Sequence, residues 1–353
     1  MELEMTIKNQ WQTIRKSEKP MRIRNAAEQL GISEVELLAS EIGEGNVTRL
    51  EGKLKEILAQ IEGLGYVMAL SRNNEAVHER KGVYLNGSFG PHASLFVGAD
   101  IDLRIFLNSW STAFAVQVES GNTIRRSLQF FDKFGVAMHK IFLTPKSDTA
   151  AFSKLVDEFT SINQDSIEAV EIAPTKVNKR SKLTANDLVI FREEWLNLKD
   201  THQFFGLVNK YELERVAALE CAPVGNFAVE VSNSVVREIC NKAVSTEVPI
   251  MVFVGNAGII QIHTGPIKNL LDHGTWFNIM DPEFNLHLDE SRISRSFIVR
   301  KPTEDGIVTS IEIFNKEGDS IVSLFGKRKP GNPELTGWRE IVTEAEEELK
   351  LNA

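Results

Sequence analysis

Two stretches of the chain can be laid on one another without a gap. "SLQFFDKFGVAMHKIF" (127–142) matches "SIEIFNKEGDSIVSLF" (310–325), so that Ser127, Phe131, Lys133, Gly135 and Phe142 fall on Ser310, Phe314, Lys316, Gly318 and Phe325. Each reads as a strand, a tight Asx-Lys-x-Gly turn and a second strand, which is the pattern of a β-hairpin. A repeat of this kind constrains the fold strongly, because both halves must build the same unit. Two looser parallels extend it. "GVYLNGSFGPHASLFVG" (82–98) follows "IMVFVGNAGIIQIHTG" (250–265) as strand, Asn/Gly turn and strand, and "AAEQLGISEVELLAS" (26–40) follows "QFFGLVNKYELERVAAL" (203–219) as helix, break and helix. The expected fold is α+β, a tandem duplication in which each half carries a helical segment and a multi-stranded antiparallel sheet. The halves are placed at 1–171 and 188–353, and a polar, basic, proline-containing linker at 172–187.

Charge and apolar pattern narrow the function classes. A net charge of −9 makes free nucleic acid a poor default partner. One stretch raises it nonetheless: "RNAAEQLGISEVELLAS" resembles a helix-turn-helix, with a helix ending at Gly31 and a capping box of Ser33 and Glu36 opening the next. The second helix is acidic where a recognition helix needs Arg, Lys, Asn or Gln, so an αα-corner packed on a sheet is the favoured reading. The longest apolar runs, such as "VPIMVFVG", are too short to cross a bilayer. The N-terminal "MELEMTIKNQWQ" lacks the basic start and apolar centre of a secretory signal. A cytoplasmic protein without membrane insertion is expected. Cys221 and Cys240 have no CxxC or metal-type spacing and read as buried thiols.

Differences between the halves are where function can have been added, and His202 is one. It lies in "EEWLNLKDTHQFFGLV" (193–208) and has no histidine at the matching place in the first half, near Asn25 or Ala26. Asp200 is a good N-cap and Gln203 stands at the capping-box position, so a helix is expected to begin near Thr201. Phe204, Leu207, Val208 and Tyr211 make its apolar stripe, and His202 falls off that stripe, beside Phe205 and Gly206. A neutral imidazole there offers a lone pair to a metal, and Gly206 leaves its flank open to a flat molecule. The residues alone leave two readings open, a satisfied histidine and a ligand.

The other histidines form no HxxxH or HExxH, which argues against a protein-only zinc site; His263 and His287 read as structural. No GxSxG, P-loop, GxGxxG or kinase signature is present. Arg104, in the strand pattern of "ADIDLRIFLNSW", needs a partner such as Asp100 or Asp102. Arg300, Lys301, Lys327, Arg328 and Lys329 gather at strand ends, as solvated termini or as a grip for carboxylates.

These stretches resemble a bacterial family of hemin-degrading and heme-trafficking proteins, the HemS, ChuS, HmuS and PhuS type. "RIRNAAEQLGISEVELLA", "HERKGVYLNGSFG", "GADIDLRIFLNSW", "WLNLKDTHQFFGL", "FVGNAGIIQIHTG", "WFNIMDPEFNLHL", "VRKPTEDGIVTSIEIF" and "FGKRKPGNPELTGWR" carry the resemblance, in order, over nearly the whole chain. It implies heme (iron protoporphyrin IX) in a cleft beside the C-terminal half, with His202 as the axial iron ligand. It implies Arg104 on the opposite face as the catalytic candidate, Lys301 and Arg328 near the propionates, and Phe253 as an apolar wall. The chain departs from the family pattern at Phe325 and Lys327, where a tyrosine and a glutamine are common. The implied function is heme degradation with release of iron, using an external electron donor; the alternative is a carrier that passes heme to a separate oxygenase. A heme importer or that downstream oxygenase is the implied partner.

Overall fold

The computed structural model describes residues 2–17, 21–43, 45–120, 123–174, 179–329 and 331–351; residues 175–178 of the expected linker lie outside the described residues. Two compact units emerge. Unit 1 takes residues 1–72, 79–175 and 256–261, and unit 2 takes 73–78, 176–255 and 262–353.

Unit 1 contains α1 (Glu2–Arg15), α2 (Ile23–Leu30), α3 (Glu34–Ala39), β1 (Val47–Leu50), α4 (Leu54–Ala59) and β2 (Gly65–Arg72). Then come β3 (Ala76–Gly82), β4 (Ser88–Phe89), β5 (Ser94–Val97), β6 (Asp102–Ile105), β7 (Thr112–Ser120), β8 (Thr123–Phe131), β9 (Ala137–Ser147) and α5 (Thr149–Phe159). Unit 2 contains α6 (Ala185–Leu196), α7 (Gln203–Lys210), α8 (Arg215–Glu220), β10 (Ala228–Val231), α9 (Val235–Thr246), β11 (Ile250–Asn256) and β12 (Ile259–Gly265). It continues with β13 (Leu270–His273), β14 (Trp276–Met280), β15 (Phe284–Asp289), β16 (Arg295–Thr303), β17 (Gly306–Phe314), β18 (Ser320–Gly326) and α10 (Thr336–Leu349). Strands β3, β11 and β12 have residues in both ranges.

The duplication is visible residue by residue. In unit 1 the neighbouring strands run β1-β7-β8-β9-β2, and in unit 2 β10-β16-β17-β18-β11, antiparallel throughout. Ser127 pairs with Phe142 as Ser310 pairs with Phe325, and both hairpins bulge before the turn, at Phe130/Phe131 and Ile313/Phe314. Each turn is made by the same device. The N–H groups of Phe134 and Val136 donate to Asp132 Oδ1 (3.0 and 2.8 Å), and those of Glu317 and Asp319 donate to Asn315 Oδ1 (3.0 and 2.9 Å). Gly135 and Gly318 follow at φ 81° and 77°, a region that L side chains avoid. Both units have a helix pair, but the break differs: α2 ends at Gly31 (φ 71°) and the Ser33–Glu36 capping box opens α3, whereas Tyr211 follows α7 and α8 opens at Glu214 without a side-chain cap.

One parallel needs correction. The counterpart of β11–β12 is β2–β3, since Met68 lies opposite Phe142 as Met251 lies opposite Phe325. Residues 82–98 hold the last residue of β3 and the short strands β4 and β5. An apolar strand with an Asn/Gly turn has too little pattern to separate the two hairpins; the pairing partner does so.

Unit 2 covers its sheet on both faces, but unequally. On one face α9 and α10 bury Val235, Ile239, Trp338, Ile341 and Val342 against Val252, Ile298, Ile311, Ile313 and Leu324. On the other, α6, α7 and α8 bury Phe191, Trp195, Phe204, Leu207 and Val208 against Phe297, Val299 and Phe314. The four stripe residues Phe204, Leu207, Val208 and Tyr211 are all buried, as their helical spacing predicts. This second cover rests on β16 and β17, with Ala228 of β10 at its edge, and does not extend to the same face of β18 and β11.

Candidate functional site

The start of α7 positions His202. The helix begins at Gln203, two residues later than expected, and His202 takes the N-cap position without capping through its side chain. Asp200 caps the preceding turn instead: the His202 N–H donates to its Oδ1 at 2.7 Å, and the Gln203 N–H donates to the Asp200 carbonyl at 3.2 Å. Gln203 Oε1 accepts from the Lys199 N–H at 2.8 Å, so the expected capping pair is reassigned around a tighter turn. The same Asp200 Oδ1 lies 2.5 Å from His202 Nδ1. Hydrogen bonding from the His202 backbone holds the Asp200 carboxyl below its usual range, with the Arg328 charge contributing less.

The His202 side chain is 91 % exposed, and Nε2 makes no hydrogen bond among the described residues. Phe205, three residues on, is 70 % exposed. A Cβ added at Gly206 would meet nothing within 4 Å. One side of α7 is thus an imidazole, a bare aromatic ring and open space.

The buried side of α7 is held by charge. Phe204 lies under the Arg215 guanidinium at 4.5 Å and the Lys301 ammonium at 5.1 Å. Both cations converge on Glu312: Arg215 makes three contacts of 2.8–3.0 Å, and Lys301 Nζ lies at 2.6 Å. Burial pulls the Lys301 ammonium down to about 8, against the attraction of Glu312. Burial pushes the Glu312 carboxyl up, but Arg215 and Lys301 outweigh it and hold it at about 2. Lys301 is therefore an anchor beneath α7, 3 % exposed, with its ammonium committed to Glu312.

Beyond this anchor the sheet face opens. Cross-strand register puts Ser310, Phe325 and Met251 in one row, and Glu312, Ser323 and Phe253 in the next. Ser310 is buried and its hydroxyl donates to Glu312 Oε1 at 3.0 Å, while Met251, Phe253, Ser323 and Phe325 are only half-buried. The Phe253 and Phe325 rings pack at 4.9 Å. Among the described residues, the helices on this face, α6 to α8, pack on β16 and β17 and leave this largely apolar strip half-buried. Its far end carries Arg328, which donates to Asp305 Oδ2 at 3.1 Å and has a buried Nε without a partner among the described residues. The turn bearing Asp305 is tied to the His202 turn, since the Glu304 N–H donates to the Lys199 carbonyl at 3.0 Å. Lys327 and Lys329 are exposed beside it.

Hydrogen bonds in unit 2 connect the turn of His202 to that of Asp305 and so to Arg328, Lys301 lies under Phe204 of the same helix, and Phe253 stands on β11, whose register joins it to β18. Arg104 belongs to unit 1. There it is ion-paired with Asp102, one of its two expected partners, and donates to the Leu103 carbonyl at 3.2 Å; Asp100 is taken by Arg80 at 2.5 Å. His263 stacks on Phe284 at 3.8 Å, and His287 Nδ1 bonds Asn278 at 2.7 Å, both structural placements. Cys240 is fully buried, with its thiol pushed up to about 12, and Cys221 is half-buried; both are free. Among the described residues no three His, Cys, Asp or Glu side chains gather as a metal site.

Unit 1 repeats the hairpin without the site. Where unit 2 has Ser323, unit 1 has Lys140, which is buried and pairs with Glu34 of α3 at 2.5 Å; Arg72 pairs with the same carboxylate. Glu34, Val35, Leu37, Leu38 and Ala39 of α3 are buried, so this helix is a packing element and has no free face for a DNA groove. Of the two residues that can match His202, Asn25 is exposed and Ala26 is fully buried, and neither is a histidine. The signal for Glu312 and Ser323 was in the aligned stretches all along: Gln129 stands opposite Glu312, and Lys140 opposite Ser323. Asp200 as partner of Nδ1 had no such signal, because an Asp two residues before a His is common in turns.

The comparisons with known proteins cover the same ground. The family model described as the haemin-degrading HemS.ChuX domain matches residues 31–159 and 212–345. The hemin transport protein HemS of Yersinia enterocolitica is 39 % identical over 319 residues, covering 90 % of each chain. The structure of holo-PhuS, a heme-binding protein from Pseudomonas aeruginosa, superposes with a TM-score of 0.91 at 42 % identity, covering 96 % of this chain and 97 % of that one. ChuS, described as an E. coli heme oxygenase, superposes with a TM-score of 0.85 at 33 % identity, covering 97 % of this chain and 99 % of that one.

Proposed function

The chain belongs to the haemin-degrading HemS.ChuX family, and from that premise we propose that it binds heme as a substrate and opens the ring to release iron. The observation that carries the proposal is the exposed His202, with Nε2 free and Nδ1 held by Asp200. The surroundings fit a flat, apolar dianion that needs one nitrogen ligand. Phe205 and the flank at Gly206 receive the plane, Met251, Phe253 and Phe325 supply an apolar wall, and Arg328 supplies a cation for a propionate. Lys301 supports α7 from below, and it reaches a propionate only by leaving Glu312.

The substrate's iron supplies the redox chemistry once heme is bound. The residues of the chain do the rest. His202 holds the iron, the apolar wall excludes water from the ring, and Arg328 fixes which edge faces the strand ends. The electrons come from an external donor, since the sequence carries no nicotinamide or flavin fingerprint. Arg104 is the proposed catalytic residue on the strength of the family resemblance; its removal is expected to slow turnover or change the product.

The transport name of the Yersinia relative favours a second reading, a carrier that delivers intact heme to an oxygenase. An absorption time course separates the two. The protein is loaded with one equivalent of hemin, in air with catalase, and given ascorbate or NADPH with a reductase. Loss of the Soret band with a new long-wavelength product supports degradation. A Soret band that shifts and then stays supports the carrier.

A further inference from the structure

We propose that Asp200 is the positioning residue of the iron ligand, an inference that rests on the heme-binding reading. A single carboxylate oxygen, Oδ1, takes both N–H groups of His202, the backbone N–H at 2.7 Å and the ring at Nδ1, 2.5 Å away. Two bonds to one oxygen fix the χ angles of a side chain that is otherwise 91 % exposed. With the proton on Nδ1, the lone pair sits on Nε2, the nitrogen that points away from the turn. A carboxylate behind a ligating imidazole also raises its donor strength, as in carboxylate–histidine–metal arrangements.

The pair lies in solvent, with Asp200 56 % exposed. An exposed ion pair of this kind contributes little to folding. Its effect is therefore expected at the iron rather than in the stability of the chain. Arg328, on the neighbouring strand end, is itself held by its bond to Asp305. The turn that holds Asp200 is in turn pinned by the Gln203 and Glu304 contacts to Lys199.

Asp200→Asn is the informative variant, because it keeps an oxygen for both N–H groups and removes only the charge. The full chain is loaded with hemin, and two quantities are read: hemin affinity, and the iron–histidine stretching band of the reduced complex by resonance Raman. Asp200→Asn is expected to weaken affinity about 10- to 100-fold and to move the band to lower frequency, with partial recovery in Asp200→Glu. A variant that keeps both wild-type values overturns the proposal, as does one whose unfolding midpoint shifts while the band does not. His202→Ala separates the two levels of inference. Loss of the band there, with Asp200→Asn unchanged, removes only the role of Asp200. Persistence of the band in His202→Ala removes the ligand assignment itself.

Discussion

The Nζ of Lys301 stands 2.6 Å from Glu312 Oε1, and each side chain is 4 % exposed. Arg215, half-buried, completes a triad whose two cations flank Phe204, the second residue of α7. The helix that presents His202 is thereby seated on one carboxylate of β17. A buried ion pair is not stabilising in itself, because desolvation offsets the attraction, but breaking it strands the remaining charge.

Glu312→Gln leaves the buried Lys301 ammonium, and the half-exposed Arg215, beside a neutral amide. The expected loss is about 3–5 kcal/mol of unfolding free energy, read from urea or guanidinium titration. Unit 1 tolerates Gln129 at the aligned place, but there the neighbouring lysine, Lys140, pairs with Glu34. A Glu312→Gln protein as stable as wild type would show that the triad does not seat the helix.

His202→Ala should abolish axial ligation and leave the fold alone. An exposed side chain off the apolar stripe changes stability by no more than about 0.5 kcal/mol. Hemin titration followed at the Soret band is expected to show loss of the histidine-ligated spectrum, with the thermal midpoint unmoved.

Gly206 offers opposite effects on stability and binding. It lies inside α7, and an added Cβ meets nothing within 4 Å. Gly206→Ala should raise stability by roughly 0.5–1 kcal/mol through helix propensity. Gly206→Leu is expected to keep the fold while obstructing the open flank, so that hemin affinity falls. Equal affinity in Gly206→Leu and wild type would place the ring elsewhere.

Arg328→Ala removes the half-buried cation at the end of β18. Hemin affinity should fall by about tenfold at low salt, with a smaller difference at high salt. Hemin dimethyl ester, which has no propionate charge, should bind both proteins alike.

His139 makes stability depend on pH. It is 1 % exposed, bonded through Nδ1 to Ser71 (2.8 Å) and through Nε2 to the Tyr84 hydroxyl (2.6 Å), and burial pulls it down to about 3. Its unfolded value is 6.5. Between these values the unfolded chain binds the extra proton. The contribution is fully present above about 6.5 and is lost as pH falls toward 3, at up to about 1.4 kcal/mol per pH unit. Urea titrations between pH 7 and 4 measure the slope, and His139→Gln should flatten it.

The duplication was legible because it rests on local chemistry. An Asx residue, a glycine at positive φ and alternating strands specify a hairpin wherever they occur, and both copies show the same bulge. The helical stripe of α7 and the capping box of α3 were legible for the same reason, since each needs only residues within a turn of one another. His202 stood out as a difference between the halves, and its exposure follows from its place off the stripe.

What the tertiary structure alone decided is pairing across long sequence separations. Lys301 lies among basic residues at a strand end, but register places it on the helix-covered face, where Glu312 takes its charge. Arg328, in the same kind of run, lies beyond the last residue of β18 and stays near Asp200. Sequence cannot distinguish two such cations, because strand alternation reports which residues share a face, whereas burial depends on which helix covers that face. The open strip of Met251, Phe253 and Phe325 has the same origin: on that face α6, α7 and α8 pack on β16 and β17, whereas α9 and α10 cover the opposite face, and that is a matter of packing rather than pattern.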